Sequence, residues 1–285
     1  MSVSVGARPV EATFLHANGF PAGAYRRLFA HLGPRFKLHT IETLGTDPAY
    51  PVTDGWPHLI RQLIDRIGAE ATGPVLGIGH SLGGIVTFGA ALQRPDLFRA
   101  VILIDSPLIG PVKSRLFGWV KRIGLAGWVT DARRAERRRS LWPSRAAALE
   151  HLRGRRVFGR FEPESLAAYV SAGTVEDAEG VRLRIAPQLE ARIYRTIPHS
   201  LSQGVARMPV PAGLIIGRES NVVRRLGLAA SRRLLHVREV AGSHLFPFEH
   251  PGAAARAIES LAEELGVISY NQNHGDNASN TLANP

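Results

Sequence analysis

The chain has 285 residues, of which 45% are hydrophobic and 21% are charged, a composition typical of a globular protein with one α/β core and an inserted subdomain. It contains no cysteine, which excludes disulfides and thiolate catalysis. The formal net charge is +11, and the sequence shows neither a bilayer-spanning apolar run nor a secretory signal at its amino terminus, so we expect a cytoplasmic protein.

The first half of the chain alternates short apolar runs with helical patterns, which predicts a parallel sheet with helices on both faces. The run 75–79 is fully apolar, as in a buried parallel strand, and a helical pattern follows it. In chain order, strands are expected at 13–16, 36–41, 75–79 and 100–104, and helices at 56–69 and 82–93.

The junction between the predicted strand and the helix at 82–93 has the sequence Gly79-His80-Ser81-Leu82-Gly83, followed by Gly84. This is the pattern G-x-S-x-G, in which a sharp strand-to-helix turn exposes a serine hydroxyl above the sheet. Side chains at positions 79 and 83 would crowd such a turn, which accounts for the glycines. The amide of Leu82, at the start of the helix, would point at an oxyanion formed next to Ser81. The motif therefore predicts a nucleophilic serine.

A dinucleotide-binding loop is the competing interpretation, since Gly77 and Gly79 provide the start of G-x-G-x-x-G. The third glycine of that fingerprint would fall on residue 82, which is leucine. The chain therefore fails the fingerprint, and it also has no Walker A sequence.

Between about residues 108 and 207 the pattern changes to Arg-rich helical segments with few signals of buried strands. Helices are expected at 132–139, 144–154 and 183–194, and the stretch is interpreted as a helical insertion that covers one end of the sheet. Most of its aromatic side chains are expected to form the core of the insertion, with an apolar acyl site as the alternative. They are Trp119, Trp128, Trp142, Phe158, Phe161 and Tyr169.

Positive charge is concentrated in the insertion, where residues 113–160 hold fourteen Lys or Arg against three acids. A solvated helix surface is the favoured interpretation, and attraction of an anionic substrate or an acidic membrane surface is the alternative. No aromatic RNA-binding motif or DNA-reading helix accompanies the charge, so no nucleic-acid partner is expected. Because His and carboxylate residues show no metal-ligand spacing, neither a metal nor an organic cofactor is expected.

Sheet character returns at 210–217 and 234–240, and a final helix is expected at about 251–265. The predicted organisation is thus an α/β core, an inserted helical cap and a polar, Asn-rich tail that is expected to be disordered. The core comprises residues 1–107 and 208–268, the cap 108–207 and the tail 269–285.

The turn at Gly79–Gly84, together with Leu15-His16-Ala17-Asn18-Gly19-Phe20-Pro21, resembles the α/β-hydrolase superfamily, and the resemblance covers all of the chain except the tail. In that family, the loop after an early strand donates the second oxyanion N–H from a His-Gly-like segment. The resemblance implies this role for the amide of Asn18, with Gly19 or Phe20 as alternatives. His16 is interpreted as a structural histidine that braces the loop.

The segment Gly242-Ser243-His244 lies between the last predicted strand and the last predicted helix, and it resembles the histidine loop of the same family. The resemblance implies that His244 is the general base, with Ser243 in place of the commoner glycine. An imidazole in this loop can accept the hydroxyl proton of Ser81 and later return it to the leaving group. The order serine, acid, histidine along the chain is the one expected for this fold.

The acid departs from the family pattern, because Ser220 stands where the segment beginning at Gly217 would place an aspartate. A serine cannot hold an imidazolium by charge. Asp105, directly after the predicted strand 100–104, is the preferred substitute, and Glu219 is the alternative acid. A site without any acid is the third alternative.

These residues predict a monomeric or dimeric serine hydrolase of the α/β-hydrolase fold, with a mostly parallel sheet flanked by helices. Its expected reaction is cleavage of a small carboxylic ester, thioester or lactone through a Ser81 acyl-enzyme. The alternatives on the same scaffold are a C–C bond hydrolase, a lyase, a perhydrolase, or a small-molecule receptor with weak turnover. A purely interaction role through the basic cap is the least favoured.

Overall fold

The structure of the protein is a computed structural model, which describes residues 8–199, 201, 208–226 and 236–268. The tail that the sequence predicts to be disordered, at 269–285, lies outside the described residues. The same holds for the first two residues of the predicted strand 234–240 and for most of the last eight residues of the predicted cap.

The described residues contain nine strands and twelve α-helices. The strands are β1 (Val10–Leu15), β2 (Phe36–Thr40), β3 (Val75–His80), β4 (Phe98–Ile104), β5 (Leu141–Trp142), β6 (Thr174–Asp177), β7 (Gly180–Leu183), β8 (Ala212–Gly217) and β9 (His236–Val240). The helices are α1 (Arg26–Leu32), α2 (Pro57–Glu70), α3 (Leu82–Gln93), α4 (Pro111–Arg122), α5 (Ala126–Val129), α6 (Ala132–Glu136), α7 (Arg145–Arg153), α8 (Pro163–Gly173), α9 (Pro187–Arg195), α10 (Val222–Leu226), α11 (Phe246–Glu249) and α12 (Pro251–Glu264).

Six of the strands form one sheet in the order β2-β1-β3-β4-β8-β9, and all five neighbouring pairs are parallel. Parallel strands place all their carboxyl ends at one edge, so the segments that follow β1, β3, β4, β8 and β9 meet there. The middle strands are apolar on both faces, as a sheet covered on two sides requires. This topology brings the predicted site segments to a common edge of the sheet.

Helices cover both faces of the sheet. Side chains alternate along β4, so that Ile102 and Ile104 pack in one hydrophobic cluster and Val101 and Leu103 in another. Helices α1 and α12 contribute to the first cluster, and α2 and α3 contribute to the second. The expected doubly covered sheet is therefore present in the described chain.

The insertion between β4 and β8 differs from the expected all-helical segment. Besides α4–α9 it contains a three-stranded antiparallel sheet in the order β5-β7-β6. Its strands have only two to four residues, too few for an alternating pattern to show in the sequence. The helix predicted at 183–194 begins instead at Pro187, because proline has no N–H to donate and suits the first helical position, while Leu183 ends β7.

Candidate active site

The serine turn lies between β3 and α3, where Ser81 has a φ of 53°. Its N–H donates to the carbonyl of Ile104 at 2.9 Å, which ties the turn to the end of β4. A Cβ at Gly79 would lie 2.4 Å from the carbonyl carbon of Gly83, and a Cβ at Gly83 would lie 2.2 Å from the carbonyl oxygen of Leu15. The structure therefore bears out the crowding expected at positions 79 and 83, and strain at a non-glycine residue with positive φ is a feature of functional turns.

The imidazole of His244 lies between the hydroxyl of Ser81 and the carboxylate of Asp105. Its Nε2 is 3.0 Å from the Ser81 Oγ, and its Nδ1 is 2.5 Å from the Asp105 Oδ2. A carboxylate can only accept at this contact, so Nδ1 carries the proton and Nε2 is left to accept the hydroxyl proton of Ser81. Asp105 is fully buried, whereas the His244 side chain is 27% exposed. The base is therefore reachable from solvent while the acid is enclosed.

Three donors converge on the Asp105 carboxylate. Besides His244, the hydroxyl of Ser220 donates to its Oδ2 at 2.5 Å, and the N–H of Gly217 donates to its Oδ1 at 3.2 Å. Ser220 is the residue at the position where the family pattern would place the acid. The end of β4 and the loop after β8 are neighbours in the sheet, so a carboxylate from either one can approach the same imidazole.

The alternative acid, Glu219, points elsewhere. Its carboxylate pairs with Arg160 of the insertion, with an Oε2–Nη1 distance of 2.7 Å, and the side chain is 56% exposed. That hydrogen bond lowers the pKa of Glu219 below its ordinary value. The structure thus brings Asp105, and not Glu219, to His244.

The two predicted oxyanion donors lie on the segments expected for them. Leu82 is the first residue of α3, so its N–H has no carbonyl one turn earlier to bind. In the loop after β1, the N–H of Phe20 donates to the carbonyl of Ala17 at 3.0 Å, which removes Phe20 as a donor. Asn18 is buried, and its side-chain amide donates to the carbonyl of Glu190 at 3.0 Å. Asn18 and Gly19 are the remaining candidates for the second backbone donor.

His16 braces this loop through hydrogen bonds at both ring nitrogens, in agreement with the structural role predicted for it. The Leu44 N–H donates to its Nε2 at 2.8 Å, so the ring proton is on Nδ1, which donates to the carbonyl of Ala17 at 2.8 Å. Burial lowers the pKa of His16 to about 4, which keeps the ring neutral. A charged ring would have to lose the bond from Leu44.

A second histidine, His80, stands in the serine motif, but the sequence alone assigns it no role. Its Nε2 is 2.9 Å from the carbonyl of His244, and its Nδ1 is 2.7 Å from the hydroxyl of Tyr25. Burial holds the pKa of His80 well below its usual range, so the neutral ring donates through Nε2 and accepts from Tyr25 at Nδ1. The same tyrosine oxygen accepts the N–H of Ala17 at 3.0 Å. One chain of hydrogen bonds therefore joins the oxyanion loop to the histidine loop beneath the serine turn.

The histidine loop is also held by Glu249, which is almost completely buried. Both the N–H of Ser243, at 2.9 Å, and its hydroxyl donate to this carboxylate. Arg160 of the insertion contacts the same carboxylate at 3.2 Å. The serine that replaces the commoner glycine therefore has a definite use, since it binds the loop to the helix that follows.

The aromatic side chains that the sequence left open between cap core and acyl site separate into two groups. Four of them are buried and belong to one hydrophobic cluster with Phe20 and Phe248; they are Trp142, Phe158, Phe161 and Tyr169. Trp119 and Trp128 are exposed on the surface of the insertion.

The described residues contain neither a cluster of metal ligands nor a membrane-spanning helix. No group of three or more His, Cys, Asp or Glu side chains there could hold a metal ion. Among the same residues, no helix is both long and apolar enough to cross a membrane.

With this geometry in place, comparisons with known proteins identify the family. The sequence model described as "Alpha/beta hydrolase family" matches residues 14–257. The chain belongs to this family. The predicted superfamily and the mostly parallel α/β sheet are confirmed, and the family identifies the protein as a hydrolase.

Individual relatives match the chain at low sequence identity or over only part of its length. The pimeloyl-[acyl-carrier protein] methyl ester esterase of Edwardsiella ictaluri (strain 93-146) is 30% identical over 102 residues, which are 35% of this chain and 38% of the relative. The chain therefore spans less than half the length of that relative. Among solved structures, E-2-(acetamidomethylene)succinate hydrolase has a TM-score of 0.72 at 22% identity, covering 90% of this chain and 92% of the other. The thioesterase domain from the curacin biosynthetic pathway has a TM-score of 0.67 at 16% identity, and the match covers 90% of this chain and 93% of the other. These two structures share the fold.

Replacing Tyr25 by phenylalanine tests the hydrogen-bond chain beneath the serine turn. The ring keeps its packing, but the Ala17 N–H and the His80 Nδ1 lose their partner in a buried site, which costs about 1–3 kcal/mol in the free energy of unfolding. Urea unfolding, monitored through tryptophan fluorescence, measures this loss of stability. Tyr50→Phe is the matched control, because it removes a hydroxyl bonded to Asp65 at the surface. Equal, small losses in the two variants would contradict a buried network.

The buried neutral histidines make stability depend on pH. Unfolding restores an ordinary pKa near 6.5, so the unfolded chain binds more protons than the folded one between about pH 6.5 and 4. The contribution of His16 is therefore complete above pH 6.5 and is lost as the pH falls, by about 2 kcal/mol at pH 5, and His80 adds a loss in the same direction.

Urea unfolding at several pH values between 7.5 and 5 measures this slope. The variant His16→Gln should flatten it, and His31→Gln, which changes an exposed histidine and leaves the buried network intact, is the control. A slope that His16→Gln does not change would show that this histidine titrates equally in the folded and unfolded chain.

Proposed function

We propose that the protein is a serine hydrolase that cleaves a carboxylic ester, thioester or lactone through an acyl-enzyme on Ser81. The observation that carries the proposal is the continuous line of hydrogen bonds from Asp105 through His244 to Ser81. Three separate segments of the chain supply these groups, and the serine stands on a strained turn at the carboxyl edge of the sheet. A structural role alone would not require a half-buried hydroxyl next to the imidazole in that position.

In the acylation step, Ser81 attacks the substrate carbonyl while His244 Nε2 takes the hydroxyl proton. The negative charge that forms on the carbonyl oxygen is stabilised by the N–H groups of Leu82 and Asn18. His244 then gives the proton to the leaving group, and Asp105 stabilises the imidazolium and fixes its tautomer. A water molecule activated by the same imidazole hydrolyses the acyl-enzyme. No step needs a metal ion or an organic cofactor.

The substrate class follows from the chemistry of the site and from the relative. The relative from Edwardsiella ictaluri is named for a methyl ester, and we infer an ester-type substrate for this chain as well. Ester, thioester and lactone share an acyl carbon with a leaving group that needs one proton, which is what His244 can supply.

We further propose that the insertion at 108–207 acts as a cap on a core formed by 1–107 and 208–268. Support comes from its position, because it follows β4 directly after Asp105 and so begins at the edge where the triad lies. Phe161 of the insertion stacks on Phe248 next to the histidine loop, with ring centroids 4.8 Å apart. Such a cap would exclude water from the acyl site. A monomeric or dimeric state and a cytoplasmic location stay predictions from the sequence.

Covalent labelling tests the nucleophile. A fluorophosphonate probe should label the wild-type protein and should not label Ser81→Ala, because only an activated serine hydroxyl attacks the phosphorus. Hydrolysis of 4-nitrophenyl acetate, butyrate and octanoate should fall by roughly 10⁴-fold or more in the same variant. Ser171→Ala, an exposed serine on α8, is the control and should keep both activities. Labelling that persists in Ser81→Ala would remove the serine from the proposal, and a wild-type protein with neither labelling nor turnover would favour a receptor.

The acid is tested by moving the carboxylate. Asp105→Asn should lower kcat by about 10³–10⁴-fold, because the carboxylate no longer holds the imidazole proton on Nδ1 and Nε2 is not kept free to accept. The kcat of Glu219→Gln should stay close to that of the wild type. Since Ser220 Oγ lies 2.5 Å from the Asp105 carboxylate, the double variant Asp105→Ser/Ser220→Asp places the acid on the neighbouring strand end. It should regain at least about tenfold in kcat over Asp105→Ser alone. A loss in Glu219→Gln as large as that in Asp105→Asn would reassign the acid.

A further inference from the structure

The described large hydrophobic side chains that are exposed all lie in one short stretch. They belong to α4, α5 and the turn between these helices, and they range from 44% exposed for Ile123 to 70% for Trp128. The full set is Leu116, Trp119, Ile123, Leu125, Trp128 and Val129, and we call it the α4–α5 face. Isolated exposed apolar residues are normal in a folded protein, but a contiguous patch rimmed by charge marks an interaction surface.

The stretch that contains the α4–α5 face is mostly positive. Residues 113–139 hold nine Lys or Arg and only two acids, Asp131 and Glu136. One of the nine, Arg138, binds Glu190 and Tyr169 inside the insertion and does not contribute to the surface charge. Glu136 is already paired with Arg195 of α9 at 2.7 Å. The guanidinium of Arg133 lies 3.8 Å from the ring centroid of Trp128, so a cation and an aromatic ring share the same part of the surface.

A cavity of about 670 Å³ adjoins this face. Four cations and one acid line it, and its lining residues are Asp54, Ser114, Arg115, Gly118, Trp119, Lys121, Arg122, Arg195 and His199. Asp54 forms an ion pair with Lys121, which also donates to the carbonyl of Ile197 at 3.0 Å. Within the described chain, the Nδ1 of His199 is buried without a hydrogen-bond partner. Because Lys121 and Arg195 are already paired, Arg115 and Arg122 are the cations of the described lining that offer donors next to the exposed indole of Trp119. This combination suits a phosphate group attached to an apolar body.

We propose that the α4–α5 face docks the protein on a membrane surface that contains anionic phospholipid. The indole rings and aliphatic side chains enter the headgroup region, and the arginines bind headgroup phosphates, as in amphipathic helices that lie in the plane of a bilayer. Charge complementarity identifies this occupant, because an anionic bilayer supplies both the negative charge and the apolar layer that the face requires.

A second copy of the chain fits the face less well. A symmetric dimer through this patch would bring the same arginines against one another, and like charges repel in a partly desolvated interface. An acidic protein surface would pair with the cations, but its charge alone supplies no apolar partner for the six large hydrophobic side chains of the face. The sequence alone favoured a solvated basic surface, since the exposure of the apolar residues becomes visible only in the folded chain.

Co-sedimentation with lipid vesicles tests the proposal. The wild-type protein should bind vesicles made from an equimolar mixture of phosphatidylcholine and phosphatidylglycerol, and binding should shift its tryptophan emission to the blue. It should bind vesicles of pure phosphatidylcholine much more weakly. Added salt should weaken binding to the anionic vesicles. Trp119→Ala and Trp128→Ala should each lower the partition coefficient by about tenfold, and Arg122→Gln by about fivefold.

The controls separate this surface from net charge and from catalysis. Arg99→Gln removes an exposed cation at the amino end of β4, on the opposite edge of the sheet, and should leave vesicle binding at the wild-type level. Hydrolysis of soluble 4-nitrophenyl acetate should be unchanged in the tryptophan variants, so failure of membrane binding and failure of the proposed hydrolase are read out independently.

Three results would overturn the proposal. The first is equal binding to both kinds of vesicle, and the second is wild-type binding by Trp119→Ala and Trp128→Ala. The third is a dimer, detected by analytical ultracentrifugation without vesicles, that the tryptophan substitutions dissociate, since the occupant would then be a second copy.

Discussion

The buried carboxylate of Asp105 is the constraint on which the arrangement of the site depends. A charge without solvent must be surrounded by donors, and here they come from the histidine loop, from Ser220 and from the backbone of Gly217. Gly217 is the last residue of β8, Ser220 lies in the loop after β8 and His244 in the loop after β9, whereas the acid follows β4. Satisfying one carboxylate therefore fixes three strand ends relative to one another, and the imidazole is oriented toward Ser81 as part of the same requirement.

A second set of buried polar groups supports the turn from below. His80 and His16 are held neutral by burial, and each uses both ring nitrogens. His16 binds two backbone groups, and His80 binds the His244 carbonyl and the Tyr25 hydroxyl. Tyr25 lies between the oxyanion loop and His80 and serves both. Because neutral imidazole is a donor at one nitrogen and an acceptor at the other, it can bridge a carbonyl and an N–H or O–H without an unpaired charge. Apolar side chains of the same size would leave these loops unattached.

How much the sequence predicts depends on how local the determining physics is. The crowding at Gly79 is local, since a Cβ there would meet Gly83 and Gly84, so the serine turn could be interpreted directly from the motif. The crowding at Gly83 comes from Leu15 of β1, and the motif predicts the need for a glycine there without showing which group causes it. The strands of the six-stranded sheet and the helix α3 follow from apolar runs and helical patterns, and among the described residues their predicted bounds differ from the structure by a few residues at most. The superfamily could likewise be named from two short motifs.

Contacts between distant segments were harder to predict. The choice of Asp105 over Glu219 depends on β4 lying beside β8 and on the direction of each side chain, neither of which a pattern contains. The short antiparallel sheet of the insertion gives no periodic signal, and the bond from His80 to the His244 carbonyl spans 164 positions.

The hydroxyl of Ser220 shows how two neighbouring strand ends can share one task. It donates to the same Asp105 oxygen that the His244 Nδ1 contacts, so two hydrogen bonds stabilise the charge of one carboxylate oxygen. The strand end to which the family pattern assigns the acid thus still supports the imidazole, as a donor to a carboxylate carried by the adjacent strand.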